Sequence, residues 1–139
     1  GERIVFYENE EPHYLENYDR GVHDGPYKAY YETGELKLEG QYKVGVMEGK
    51  WRGFYKNGQL KEVVNFKNNN ENGPFVEYYE NGNLKAEGNY LDGDWEHGLL
   101  KLYDQNGELK RKMQCEKGRC RTIWTKEEGD KAEATGVNI

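Results

Sequence analysis

With 139 residues, a net charge of −6 and no block of Lys or Arg, the chain lacks the basic footprint that nucleic acid or anionic lipid would favour. No apolar run approaches the roughly 18 to 20 residues of a membrane span, so neither nucleic-acid binding nor membrane insertion is expected. Leu, Ile, Val and Phe contribute only 25 residues, but 12 Tyr and 3 Trp supply burial capacity that the aliphatics lack, and a thin, aromatic-rich β structure is expected in place of a thick aliphatic core.

The first element is FYENEEPHYLENY, Phe6 to Tyr18, which matches YYETGELKLEGQY, Tyr30 to Tyr42, without a gap. In the first copy Glu10 and Pro12 stand where the second has Gly34 and Leu36, so the opening copy reads as a terminal cap. From there the unit recurs every 24 or 25 residues: Gly25, Gly49, Gly73 and Gly98 share one position, Gly34, Gly58, Gly82 and Gly107 another. Leu36, Leu60, Leu84 and Leu109 follow, each preceding a Lys, at Lys37, Lys61, Lys85 and Lys110. Trp124 falls, by count, at the position of Tyr27, Trp51, Phe75 and Leu100, so a partial sixth copy closes the array. The units are about 1–24, 25–48, 49–72, 73–97 and 98–121, with a fragment from 122. Together they make one β-repeat domain over 1–125, and a polar tail, 126–139, is expected to be a frayed strand or disordered.

Each unit reads as a hairpin. Asn57-Gly58, Asn81-Gly82 and Asn106-Gly107 suit a two-residue type I′ turn, whose two central residues both need positive φ. Between units Gly21, Gly45, Asn69, Gly93 and Gly118 recur at one position and mark a second set of turns. Short turns throughout force neighbouring strands to be antiparallel. The fold class is therefore all-β, an elongated antiparallel meander of about ten or eleven strands forming a single twisted sheet.

The two-residue turn at Asn81-Gly82 would pair Phe75 with Gly88, Tyr27 with Gly40, Trp51 with Val64 and Leu100 with Met113, one apolar face. Residues 36, 38, 40 and 42 lie on that face and alternate with Lys37, Glu39, Gln41 and Lys43 on the wet one. The same register sets Tyr30, Phe54, Tyr78 and Tyr103 beside Lys37, Lys61, Lys85 and Lys110. Two readings of this ladder are open: rings and Lys stems covering each other on a solvated sheet, or a row of aromatics that receives a ligand or partner chain. Sheet edges are a further place for a partner, a second copy in an edge-to-edge homodimer included.

Other chemistry is thin. Cys115 and Cys120 flank the inter-unit turn at EKGR and sit near facing positions, so a hairpin disulfide and a pair of reduced thiols both fit. If bonded, the pair favours an exported or periplasmic protein over a cytoplasmic one. Two Cys with no His close in sequence make a poor zinc motif. His13, His23 and His97 fall in different units and read as solvated turn residues. Asp92, Asp94 and Glu96 around Gly93 lack the spacing of a calcium loop, and the extra residue in DWEH reads as a tolerated bulge. The chain has no Ser, which removes serine-based nucleophiles. No catalytic residue, metal or cofactor is assigned.

The Gly-x-aromatic opening, the aromatic doublet, the turn ending in Gly, Leu-Lys and the aromatic closing the second strand together resemble the MORN-variant repeat of bacterial proteins commonly labelled as antitoxin components. The match runs from Gly25 to Cys115, with weaker extensions to Phe6 and Trp124. The resemblance implies a non-enzymatic protein–protein interaction module, antitoxin-like, whose partner is another protein. An alternative is a cell-envelope glycan binder using the exposed aromatic ladder.

Overall fold

The computed structural model describes residues 1–93 and 95–128. Within them the chain forms one antiparallel sheet: β1 (Glu2–Phe6), β2 (Pro12–Asp19), β3 (Val22–His23), β4 (Gly25–Tyr30), β5 (Leu36–Lys43), β6 (Val46–Phe54), β7 (Leu60–Lys67), β8 (Asn70–Tyr78), β9 (Leu84–Leu91), β10 (Trp95–Glu96), β11 (Gly98–Tyr103), β12 (Leu109–Glu116) and β13 (Arg119–Thr125). Eleven of these follow one another across the sheet in chain order. The two-residue strands β3 and β10 add to β2 and β9. The long strands match the expected meander, and the two extra pieces arise where Asp24 and His97 interrupt what β6 and β8 keep continuous.

The turns differ from the sequence expectation in an instructive way. Type I′ geometry belongs to the inter-unit turns: Arg20-Gly21, Val44-Gly45, Asn68-Asn69 and Lys117-Gly118 all carry two residues at positive φ, closing pairs such as Lys43 with Val46 and Glu116 with Arg119. At the Asn-Gly turns only the Gly has positive φ. Gly82 N–H donates to the Tyr79 carbonyl (2.9 Å) and Tyr79 N–H to that of Asn83 (2.8 Å), a three-residue loop ending in a left-handed glycine with a bulge beside it. Asn81 serves by its side chain instead: its Oδ1 accepts from Asn83 N–H at 2.9 Å and its Nδ2 donates to the Gln105 carbonyl in the next turn at 2.8 Å. Asn57 does the same with Gln59 and Glu80, and Asn9 with Glu11 and Glu32. Glu10, where the other copies have Gly, takes φ 71°, so the worn first copy keeps the same turn at a cost.

Val44 is the costliest residue in a left-handed conformation, since it is β-branched, at φ 48°, and 73% exposed with no packing to recover the strain. Val44→Asn is expected to raise stability by about 1 kcal/mol, read as a higher urea midpoint at unchanged slope. An unchanged midpoint would show that the turn is unstrained.

Between units the strands slip. Gln41 pairs with Glu48 but Glu39 with Arg52, so residues 49–51 face Gly40 alone. The same happens at 72–74 opposite Asn65. Gly49 and Gly73 supply the positive φ such bulges need, at 73° and 96°. The bulge re-aims the aromatic that follows it. Trp51 pairs with Val64 in register, yet its ring lies on the other neighbour, where a Cβ on Gly40 would stand 2.1 Å from Trp51 Cδ2. The predicted pairs Tyr27–Gly40, Phe75–Gly88 and Leu100–Met113 are all present, and Ala29, Trp51, Phe75, Ala86, Leu100 and Cys115 are buried apolar side chains of this face.

Trp124 departs from its counted position. At the last inter-unit boundary the slip is one residue, not two: Met113 pairs with Thr122 and Lys112 with Trp124. A one-residue change reverses the face. Trp124 thus leaves the row of Trp51 and Phe75, and Lys112 Nζ sits 5.7 Å from its ring centre. In the tail, residues 126–128 form a helical turn and not a strand, tied back by an ion pair from Lys126 to Glu108. The remainder of the expected tail, 129–139, lies outside the described residues.

Candidate interaction surface

The apolar face of the sheet carries its aromatic rings in contact from strand to strand. Tyr27, Tyr42 and Trp51 meet edge to face or tilted at 5.2–5.7 Å, and Phe75 stacks on Tyr90 at 4.2 Å. Among the described residues all strands lie in the one sheet, so no second layer covers these rings. They bury one another instead, leaving Trp51 3% exposed and Phe75 4%.

Between them runs a groove of about 280 Å³, whose walls include Trp51, Phe66, Tyr90, Glu62 and Glu71. The carboxylates were not anticipated on this face. Glu62 stands directly opposite Glu77, and like charges facing across strands cost stability. Together with burial, which acts first, Glu77, Glu96, Glu71 and Glu62 push the Tyr90 hydroxyl up to about 12. Burial also pushes Tyr27 up to about 12, helped by Tyr14, Tyr42 and Glu16. Both hydroxyls stay protonated in neutral solution. The Trp51 indole Nε1 is buried without a hydrogen-bond partner, a donor in a wall otherwise rich in acceptors. Period-two alternation at Glu62, Val64 and Phe66 was the available signal for the acidic placement.

The predicted ladder is present as a row but not in the predicted pairs. The bulge beside each of the four turns ending in Gly34, Gly58, Gly82 and Gly107 sets Tyr30, Phe54, Tyr78 and Tyr103 opposite Leu36, Leu60, Leu84 and Leu109, so Lys37, Lys61 and Lys85 move one ring along. Their Nζ atoms lie 5.6–5.7 Å from the centres of Tyr31, Tyr55 and Tyr79. Lys110 has Asp104 at the corresponding position. The first ring of each doublet is half-buried, and Tyr103 donates to Glu87 Oε1 at 2.7 Å. Burial first and that bond next raise the Tyr103 hydroxyl to about 12.

The second Tyr of the doublet ties unit to unit. Tyr7, Tyr31, Tyr55 and Tyr79 donate their hydroxyls to the carbonyls of Tyr30, Phe54, Tyr78 and Tyr103 at 2.6–2.8 Å. Asp104 ends the series and accepts instead from Asn106 and Glu108 N–H within its own turn. Tyr55→Phe keeps the ring under Lys61 and removes one inter-unit hydrogen bond, leaving the Tyr78 carbonyl unpaired by it. A loss of about 1 kcal/mol is expected in urea unfolding. A neutral result would show that water replaces the hydroxyl at no cost.

The histidines are not all turn residues. His13 lies in β2 between Tyr7 and Tyr14, stacked at 3.9 and 3.8 Å. His23 lies in β3 between Tyr18 and Tyr42, at 4.5 Å from each. Flat imidazoles continue the aromatic row where the first units have no Trp. His97 alone stands between strands, exposed. Of the acidic trio, Asp94 lies outside the described residues, Asp92 accompanies Gly93 in the turn, and Glu96 is in β10. The inserted residue lengthens this turn, which Leu91 and Trp95 close. Cys115 and Cys120 pair across β12 and β13 and are disulfide-bonded, with Cα atoms 4.0 Å apart.

These features recur with the period of the units, and a family model recognises the same period. The MORN repeat variant matches four times, at residues 24–43, 47–68, 71–92 and 96–114, together more than half of the chain. No curated protein matches. Each match takes in a Leu-Lys hairpin with its turn glycine and flanking aromatics, and by that coverage the chain belongs to the MORN repeat variant family.

Proposed function

We propose that this chain is a non-enzymatic protein-interaction module whose aromatic face receives a Lys- or Arg-bearing extended segment of a partner protein. The observation that carries the reading is the directly opposed Glu62 and Glu77 on the aromatic face. Such a pair is a liability to the fold alone, and an arriving cation relieves it. Rings flanking the carboxylates attract cations as well. Trp51, whose ring forms part of the groove wall, reports on what enters it. An antitoxin-like role is the finer form of the same proposal, with a toxin as the partner held on this face.

The probe is a set of ten-residue peptides, Lys/Arg-rich or Asp/Glu-rich, titrated into labelled protein while the three Trp indole N–H resonances are followed. Basic peptides are expected to shift Trp51 and to leave acidic ones without effect, and Glu62→Gln with Glu77→Gln is expected to weaken binding at least tenfold. Equal response to both peptide classes, or a silent Trp51, overturns the reading. The antitoxin form predicts that a neighbouring gene product is toxic alone and harmless when co-expressed with this chain.

A further inference from the structure

The corner where β10 packs against β12 and β13 places chemistry that the interaction face does not use. Glu96, Cys115 and Cys120 bring one ligand atom each to within 4.8 Å of one another. Glu96 Oε2 lies 3.5 Å from Cys120 Sγ. A disulfide sulfur carries no hydrogen, so the carboxylate gains no hydrogen bond from the atom it faces. Its position is held by the backbone, since the inter-unit turn Gly118 N–H donates to the Glu96 carbonyl at 2.9 Å.

We propose that reduction of the Cys115–Cys120 disulfide converts this corner into a zinc site of two thiolates and the Glu96 carboxylate, with the fourth position open to solvent. A dithiol reductant passes two electrons to the S–S bond and is itself oxidised to a disulfide, while two protons complete the two thiols. Zn²⁺ then displaces both thiol protons. Strand pairing keeps the two cysteines opposed after the bond opens, because Glu116–Arg119 and Gln114–Arg121 pair on either side of them. Two thiolates on one zinc, at about 2.3 Å each and tetrahedral, lie roughly 3.8 Å apart, a spacing that opposed side chains reach by rotation about χ1 without moving the strands.

The surroundings suit a metal that comes and goes. Cys115 is 2% exposed against Phe75 and Leu100, so one ligand is dry and fixed. Cys120 is half-buried and borders a cavity of about 740 Å³ that His97, Arg119 and Arg121 also line. Zinc with two thiolates and a carboxylate carries one net negative charge, which the two guanidinium groups offset.

The test uses the intact chain, reduced with a phosphine under anaerobic conditions and titrated with Co²⁺ as the spectroscopic probe. One cobalt per chain is expected, with a thiolate-to-cobalt charge-transfer band and tetrahedral ligand-field bands, both erased by Zn²⁺. The oxidised chain, identical in sequence, is the control and should give neither band. Glu96→Gln leaves both thiols in place and is expected to weaken Zn²⁺ binding at least tenfold. The proposal is overturned if the reduced chain titrates as two thiols and keeps its β circular dichroism, yet shows no charge-transfer band. It is equally overturned if Glu96→Gln binds as tightly as the wild type.

Discussion

Gly40→Ala is expected to destabilise the protein by about 3 kcal/mol or more. The added methyl would stand 2.1, 2.3 and 2.5 Å from Cδ2, Cε2 and Cε3 of Trp51, distances no packed pair tolerates. The ring has little room to retreat, being 3% exposed and flanked by Tyr27, Tyr42 and Phe66. The cause is backbone: the bulge at residues 49–51 tips Trp51 away from Val64 and onto the strand that holds Gly40. A double-mutant cycle isolates the clash. Trp51→Ala alone should cost about 3–5 kcal/mol, and in that background Gly40→Ala should lose most of its penalty, a coupling of roughly 2 kcal/mol or more. If Gly40→Ala unfolds in urea within about 0.5 kcal/mol of the wild type, the ring does not lie where the bulge is argued to put it.

Phe75→Ala is expected to cost about 3–5 kcal/mol. Phe75 is 4% exposed, forms a cluster with Leu100 and Cys115, and packs against Val64 and Tyr90. The space it leaves cannot be closed from above, since the face has a single layer, nor from below, where Gly88 offers no side chain. A second readout follows from Tyr90. Burial is the first cause of its raised hydroxyl, so removing the ring stacked on it should bring its titration down toward the ordinary tyrosine range. The sign for stability is set by the same shift. A Tyr that ionises at about 10 unfolded and at about 12 folded contributes stability that is present below the lower value and lost as the pH rises through the higher. Phe75→Ala should therefore flatten the alkaline loss of stability as well as lower its plateau. Unchanged Tyr90 titration would mean that its environment is set by the carboxylates and not by Phe75.

Much of the fold was legible because its determinants are local. Gly34, Gly58, Gly82 and Gly107 mark a turn wherever they stand, and the alternation through Leu36, Leu38, Gly40 and Tyr42 fixes which side chains share a face. From those two properties the meander, the apolar row and the pairs Phe75–Gly88 and Leu100–Met113 follow. Asn81-Gly82 misled because two hairpin turns of nearly equal length accept the same dipeptide. In one Asn supplies positive φ; in the other its side chain bridges Asn83 N–H and the next turn. That difference moves Lys61 and Lys85 from the first ring of the doublet to the second. Trp124 misled for a related reason, since counting by repeat assumes every boundary slips equally, and the last slips by one residue less.

The sequence by itself determined the architecture of this protein: where the chain turns, which strands neighbour one another, and the apolar row through Tyr27, Trp51, Phe75 and Leu100. These are set by backbone preferences and a two-residue period, both of which act over a few positions. Tertiary structure decided everything that depends on contact between units, including the Trp51 ring on Gly40, the Tyr31, Tyr55 and Tyr79 hydroxyls on the next unit's carbonyls, and Glu96 against Cys120. Each of those joins residues 11 to 24 apart in sequence, across a bulge whose size sets the phase. A slip of one residue there turns a side chain to the opposite face, and that slip is an outcome of packing that no single segment encodes.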